Sequence, residues 1–176
     1  MDMNIGAWPG AQAHRNPHRT ALVDGDGGAR TTYRELDDRV MRVAAALRAA
    51  GVGRGDRVAL LSTNHPDMLV VIFAVAAAGG VCVPANFRLT AEELAFVFDD
   101  AGASLLVVSA DLAGTGHDVA GRVAAIGRTV VLGGDPGAPD SLDTFVTGVA
   151  PLTRPEPATA DDLALIMYTP GTTGRP

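Results

Sequence analysis

The apolar residues of this chain alternate between helical spacing and short continuous runs. Thr32 and Glu35 form a capping box, and the apolar residues that follow fall on one helical face until Gly51. Thr90 and Glu93 repeat the capping box. The pattern predicts, in order, a helix over 32–51, a strand over 57–62, a helix from 64 to the glycines at 79–80, a strand over 81–84, a helix over 90–101, a strand over 104–109, a weaker helix over 111–125, a strand over 129–132, a short helix over 141–149 and a strand over 163–168.

This order predicts an α/β fold. Strands separated by helices of about ten or more residues pair in parallel through right-handed crossovers. The central strands lack polar alternation, which is typical of a sheet covered on both faces. We therefore expect a mostly parallel sheet flanked by helices on both faces. Such sheets bind ligands beyond the carboxyl ends of their strands.

One stretch is apolar enough to suggest a membrane span. Residues 68–85 contain no charged side chain. However, Gly79 and Gly80 divide the stretch and Pro84 closes it. The part before the glycines would be a helix of about 18 Å, too short for a bilayer core. A buried helix followed by a buried strand explains the pattern better.

Composition narrows the classes of function. With 47% hydrophobic residues the chain is typical of a globular protein, and its net charge of −6 with scattered arginines does not favour nucleic acid as a partner. Cys82 is the only cysteine, so it cannot form an internal disulfide, and we interpret it as a core residue of a cytoplasmic protein. The N-terminus does not resemble a secretory signal.

The segment 169–174, Thr-Pro-Gly-Thr-Thr-Gly, carries the clearest functional signal. It follows the apolar run 163–167, which we interpret as a buried strand. Glycines let backbone N–H groups approach an anion closely, and threonines add hydroxyl donors, so the arrangement suits phosphate. By composition alone the segment could also be an ordinary turn. The P-loop and dinucleotide-binding patterns are both excluded by the spacing.

Other polar residues are better explained by structural roles than by catalytic ones. The adjacent acidic pairs at 99–100 and 161–162 have diverging side chains, and we interpret them as solvated ends of elements and not as an acid/base dyad. Asn86 and Arg88 follow a strand end, where turn chemistry and a surface charge are favoured over substrate contact. No catalytic residue and no metal ligand set is assigned in this chain.

The segment 168–176 resembles the phosphate-binding signature of the adenylate-forming (AMP-binding) superfamily, Tyr-Thr-Ser-Gly-Thr-Thr-Gly-x-Pro-Lys. Pro170 departs from it, standing where the family usually has serine. Four further landmarks of the family's N-terminal region occur in order, at 32–36, 55–60, 83–86 and 88–94. The chain is thus identified as a member of that superfamily, most similar to its acyl-CoA synthetases.

The resemblance implies a fold, a reaction and ligands. Residues 1–176 would be the N-terminal portion of the large AMP-binding domain, with a connector at about 150–160; the rest of that domain and a small C-terminal domain would be missing. The parent enzyme would activate a carboxylic acid, with a fatty acid as first choice, using ATP and Mg²⁺, and would transfer the acyl group to coenzyme A. The loop would hold the β- and γ-phosphates through the hydroxyls of Thr169, Thr172 and Thr173 and the backbone of Gly171 and Gly174.

Three alternatives stay open at this point. The parent could activate amino acids or aryl acids, although Gly-Thr-Thr-Gly resembles the acyl-CoA branch more than the Gly-Ser-Thr-Gly of amino-acid activators. The 176-residue chain alone is expected to be catalytically incompetent, a folded domain that self-associates, with a homodimer as one form. A free-standing flavodoxin-like domain with a disordered glycine-threonine tail is the third alternative.

Overall fold

A computed structural model describes residues 4–25 and 28–169 of the chain. The alternation predicted from residue 32 to residue 132 is confirmed, although the helix expected over 111–125 is a 3₁₀ turn followed by a helix that ends at Arg122. The helices are α1 Trp8–Arg15, α2 Tyr33–Ala49, α3 Pro66–Ala78, α4 Ala91–Asp100, α5 Ala113–Arg122 and α6 Leu142–Val146, and the strands are β1 Thr20–Val23, β2 Arg30–Thr32, β3 Arg57–Leu61, β4 Val81–Ala85, β5 Ala103–Ser109 and β6 Arg128–Leu132.

Within the described residues, the main sheet is parallel and has the strand order β4–β3–β5–β6. Val58 of β3 is in register with Cys82 on one side and Leu105 on the other. The first strand of this sheet along the chain is β3. The next strand, β4, lies on one side of β3, and the strand after that, β5, lies on its other side. The predicted α/β class is therefore confirmed, and the strand order reverses beside β3, where such sheets form a crevice at their carboxyl edge.

Each face of the sheet is covered by its own pair of helices. Val58 and Leu60 of β3 pack with α2 and α3, whereas Ala59 and Leu61 pack with α4 and α5. All of these side chains are at most 1% exposed. Because successive residues of a strand point to opposite faces, a strand that is apolar at every position belongs in a sheet buried on both sides.

The two predicted capping boxes are confirmed in detail. The Thr32 backbone N–H donates to Glu35 at 2.7 Å, and the Glu35 N–H donates back to the Thr32 hydroxyl at 3.3 Å. The box at Thr90 and Glu93 has the same arrangement, at 2.8 and 3.3 Å. Reciprocal capping satisfies N–H groups that the first helical turn leaves unpaired, so these two helices begin where their sequences indicate.

Helix α3 contains most of the stretch considered for a membrane span. It is 13 residues long and ends at Gly79, whose φ of 92° is strained for other residues. None of the helices in residues 4–25 and 28–169 combines the length and apolarity that crossing a bilayer needs.

The N-terminal segment is tied to α3, a contact that the sequence pattern did not predict. The Asn4 side-chain amide donates to the carbonyls of Ala76, at 2.8 Å, and Glu156, at 2.6 Å. Gly6 packs so closely that a Cβ there would lie 2.5 Å from the backbone nitrogen of Ala77. The start of the chain, the end of α3 and the segment 150–160 are thus joined at one place.

We expect Gly6→Ala to lower the free energy of unfolding by about 1–3 kcal/mol, because the added methyl meets backbone that can move only as a unit. Gly121→Ala is the matched control, since a Cβ at that helical position has open space and alanine favours a helix by about 0.5–1 kcal/mol. Urea unfolding of both variants checks the pair. Equal stability of the two variants would contradict the close packing at Gly6.

Elements before residue 32 were not predicted. Strands β1 and β2 form an antiparallel pair with an irregularity between Thr20 and Leu22, and α1 precedes them. The strands have four and three residues, so neither gives a periodic pattern long enough to recognise. The two strands form by pairing with each other, and no pattern within either strand predicts this pairing.

Candidate phosphate-binding edge of the sheet

The segment that leads into the predicted loop lies along β4. The Cys82 N–H donates to the Ala164 carbonyl at 2.9 Å, and the Ile166 N–H donates to the Cys82 carbonyl at 3.0 Å. This bridge is parallel, so the segment runs in the same direction as the sheet strands. Its carboxyl end, at Thr169, therefore leaves at the carboxyl edge, where ligands bind in folds of this kind.

The prediction of a buried strand over 163–168 is wrong in two respects. The structure has a single bridge at Leu165 and no continuous strand. Leu163, Leu165 and Met167 are 65%, 37% and 71% exposed. Ile166 and Tyr168, by contrast, pack with the core beneath α4 and α5. The segment lies at the edge of the sheet, and no described residue covers its outer side, which is why apolarity did not lead to burial.

Tyr168 holds the end of this segment to α4. Its hydroxyl donates to Oδ2 of Asp100, the last residue of α4, at 2.5 Å. Burial, the hydrogen bond and the Asp100 charge together raise the pKa of Tyr168 to about 12. A tyrosine phenol is protonated near neutral pH even at its ordinary pKa, so this hydroxyl is able to donate. Asp100 is an exposed helix end, as interpreted, but it also has a specific partner in Tyr168.

Of the predicted phosphate-binding residues, the structure describes one. Thr169 follows Tyr168 directly and is exposed at the carboxyl edge of the segment. Gly171, Thr172, Thr173 and Gly174 lie outside the described residues. Their roles therefore stay predictions, and the geometry fixes only where the chain enters the loop.

Polar groups beyond β3 and β5 meet at the same edge of the sheet. The Thr63 N–H donates to the Ser109 hydroxyl at 3.3 Å, and the Thr63 hydroxyl donates to Asp111 at 3.1 Å. Hydrogen bonds from Ser109 and Thr63 lower the pKa of Asp111, with Ser109 the larger cause. Sequence reasoning missed this group. Polar residues directly after two strands were the available signal, but only the strand order showed that the two strands are neighbours.

The residues after β4 form a turn, as predicted. The Arg88 N–H donates to the Asn86 side-chain oxygen at 3.0 Å, and the Arg88 guanidinium lies over the Phe87 ring, 5.6 Å from its centroid. An asparagine that accepts from a backbone N–H two residues later is a common turn device. These contacts account for both side chains without a ligand.

A cleft of about 330 Å³ lies at the other end of the sheet, away from the predicted loop. It is lined by residues that precede or start β3 and β4, among them Arg54 and Gly80, and by residues of the N-terminus and of the segment 157–164. Arg54 forms an ion pair with Asp162 at 2.6 Å, and hydrogen bonds from the Thr159 backbone and from Arg54 lower the pKa of Asp162 to about 2. Asp162 is thus a structural partner in addition to being partly solvated. Its ion pair helps to attach the segment before residue 163.

Cys82 is fully buried within β4, as predicted, and burial raises the pKa of its thiol to about 12. Such a thiol is protonated at neutral pH and unreactive as a nucleophile. Across the described part of the chain, no group of three or more His, Cys, Asp or Glu side chains is placed to hold a metal ion.

Comparison with known proteins identifies the family of this chain and several of its relatives. The chain matches the AMP-binding enzyme family over residues 10–176. It is 42% identical to a feruloyl-CoA synthase from Amycolatopsis sp, over 99% of this chain and 32% of that protein. It is 38% identical to a 3-hydroxybenzoate–CoA ligase from Aromatoleum sp. (strain CIB), over 85% of this chain and 29% of that protein.

Solved structures share the fold. A Mycobacterium tuberculosis fatty acyl CoA synthetase superposes with a TM-score of 0.83 at 29% identity, covering 95% of this chain and 32% of that one. The chain thus spans about a third of the length of the curated relatives named above. The parallel α/β fold and the match over residues 10–176 together show that this chain belongs to the AMP-binding enzyme family.

Proposed function

We propose that the protein to which this chain belongs is an ATP-dependent, AMP-forming acid–CoA ligase. The observation that carries the proposal is the placement of the segment 163–169, which runs parallel to β4 and ends at the carboxyl edge of the sheet, directly before the Gly-Thr-Thr-Gly motif in the sequence. The relatives named above are CoA ligases and synthetases. Residues 1–176 would form the N-terminal portion of the large domain, with the segment 150–160 as a connector.

The proposed reaction has two steps. A carboxylate oxygen of the acid attacks the α-phosphorus of ATP, the bond to the β-phosphate oxygen breaks, and pyrophosphate leaves. The thiolate of coenzyme A then attacks the acyl carbon, a thioester forms, and AMP leaves with the electron pair of the broken C–O bond. This chain's contribution is to the first step, in which negative charge accumulates on the departing phosphates.

The terminal loop would stabilise that charge. Hydroxyls of Thr169, Thr172 and Thr173 and backbone N–H groups at Gly171 and Gly174 are the proposed donors. Fixed donors aimed at developing charge lower the barrier without needing to reorganise. Mg²⁺ is implied only by the family resemblance, and we assign it no step in this chain.

The acid is the least determined part of the proposal. Sequence resemblance favoured a fatty acid, whereas the relatives at 42% and 38% identity act, by their names, on feruloyl and 3-hydroxybenzoate groups. Fatty acids and these aromatic acids share a carboxylate attached to an aliphatic or aromatic hydrocarbon group. We therefore widen the fatty-acid prediction to include aromatic acids.

A cytoplasmic location is proposed because the chain has a single cysteine, Cys82, whose thiol is buried and free.

The test uses the full-length protein with ATP, coenzyme A and a panel of acids: ferulate, 3-hydroxybenzoate, a medium-chain and a long-chain fatty acid, and phenylalanine. We expect acid-dependent exchange of labelled pyrophosphate into ATP and formation of a thioester with at least one acid other than phenylalanine. Activity with phenylalanine alone would favour the amino-acid-activating alternative. A correctly folded protein that consumes no ATP with any acid would contradict the proposal.

The 176-residue chain alone is a separate case. We propose that it does not catalyse pyrophosphate exchange, and robust exchange by the purified chain would refute this. The exposed apolar row of Leu163, Leu165 and Met167 gives it a surface for self-association. Light scattering after size exclusion would detect the proposed homodimer.

The proline in the loop leads to a prediction about ATP binding. Pro170 offers neither an N–H nor a hydroxyl, whereas serine offers both. We expect Pro170→Ser in the full-length enzyme to lower the KM for ATP about tenfold, since one hydrogen bond to a charged group contributes about 1.5–3 kcal/mol. Pro170→Ala separates the two donors, because it restores the N–H alone. An unchanged KM in Pro170→Ser would mean that the phosphate is satisfied by other groups.

A further inference from the structure

We propose that Asp100 is a positioning residue that, through the Tyr168 hydroxyl, fixes the register of the segment entering the phosphate loop. The proposal rests on the proposed function, because ATP is the ligand of that loop. Asp100 and Tyr168 are 68 residues apart in sequence. Neither residue would touch substrate in this scheme, so their effect on ATP is indirect.

Few backbone hydrogen bonds hold the segment to β4. Near its carboxyl end the backbone hydrogen bonds to β4 are those at Ala164 and Ile166, both made with Cys82. Leu163 and Met167 are 65% and 71% exposed. The register of the segment therefore depends on this one bridge together with the side chains that the segment presents to the core, Ile166 and Tyr168.

The Tyr168 hydroxyl distinguishes the observed register from its neighbours. A shift by one residue would bring Met167 or Thr169 to the position of Tyr168 and would turn Ile166 out of the core. A shift by two would bring Ile166 or Pro170 there. None of these side chains carries a phenol that could reach Asp100. The register with Tyr168 at this position is therefore the one that both buries Ile166 and pairs Asp100.

Asp100 is suited to hold a donor. It is the last residue of α4, and the last turn of that helix has no basic residue. A carboxylate is unfavourable at a helix C-terminus, where the backbone carbonyls concentrate negative charge, so a hydrogen bond donor stabilises it. Tyr168, which makes this contact, directly precedes Thr169, the first proposed phosphate donor.

Kinetics of the full-length enzyme test the proposal. In Tyr168→Phe and Asp100→Ala we expect the KM for ATP to rise about fivefold with kcat within about twofold. The reason is that a loop correctly placed in only part of the molecules lowers apparent affinity by that fraction, whereas bound ATP restores the placement. The double variant is expected to be no worse than either single one. Asp100→Asn, whose amide oxygen still accepts, is expected to restore most of the affinity, and Asp99→Ala, the adjacent carboxylate, is the control.

Two readouts separate this proposal from a structural role and from the proposed function. A lower melting temperature with unchanged KM for ATP, or equal effects of Asp99→Ala and Asp100→Ala, would overturn the inference. Hydrogen exchange gives a readout without ATP. We expect the Ile166 amide to exchange about fivefold faster in Tyr168→Phe, with the Leu106 amide of β5 unchanged. If the wild-type protein does not use ATP, the proposed function fails, and unchanged exchange at Ile166 would independently overturn the register role.

Discussion

Replacing Phe98 by alanine is expected to lower the free energy of unfolding by about 3–5 kcal/mol, the usual cost of removing a buried aromatic ring. Phe98 is 0% exposed and lies in the core between α4 and the sheet, with Leu94, Val97 and Leu106. Close packing there leaves no side chain free to fill the space. Urea unfolding of the 176-residue chain measures the change as a lower midpoint at constant slope.

Phe96→Ala is the matched control for that substitution. The same ring is removed from the same helix, but Phe96 is 38% exposed and lies outside both cores. We expect a clearly smaller loss than at Phe98, because a ring that is 38% exposed leaves no enclosed cavity when it is removed. Equal losses at the two positions would mean that α4 does not present Phe98 to the sheet as the structure shows.

The double substitution Thr172→Ala with Thr173→Ala is expected to lower kcat/KM for ATP by about 10²–10³ in the full-length enzyme, the range seen when oriented donors to developing charge are removed. The expectation follows from the proposed role of these hydroxyls at the departing phosphates. Steady-state kinetics at saturating acid and coenzyme A measure it. The acid's own KM is expected to change little, because no residue of the loop is proposed to contact the acid.

Thr153→Ala controls for the loss of a threonine, since Thr153 is an exposed residue of the segment 150–160. We expect wild-type kinetics from that variant. If the double variant also kept its activity while remaining folded, the phosphate-binding role of the loop would be contradicted, and the ordinary-turn interpretation would replace it.

Local signals were sufficient for the elements whose boundaries depend on neighbouring residues. The boxes at Thr32 and Thr90 were readable because the cap and its partner are three residues apart. Gly79 ended α3 because few other residues adopt its backbone angle at low cost. The parallel class followed from helices long enough to cross between strands.

Long-range contacts were beyond that reasoning. Asn4 binds the end of α3, and Arg54 pairs with Asp162 more than 100 residues later. The run 163–168 was wrongly predicted to be a buried strand, since apolar composition is the same whether or not a neighbour covers the segment. The specific partners of Asp100 and Asp162 were missed for a similar reason, since Tyr168 and Arg54 lie far away in sequence.

By itself, then, the sequence determined the α/β class, most element boundaries and the family signature in the loop, because each depends on short-range spacing. Tertiary structure alone decided which strands are neighbours, that the segment 163–169 follows β4 in parallel, and that Tyr168 meets Asp100. The physical reason is that burial and pairing depend on what packs against a residue, and the identity of that neighbour is not encoded locally.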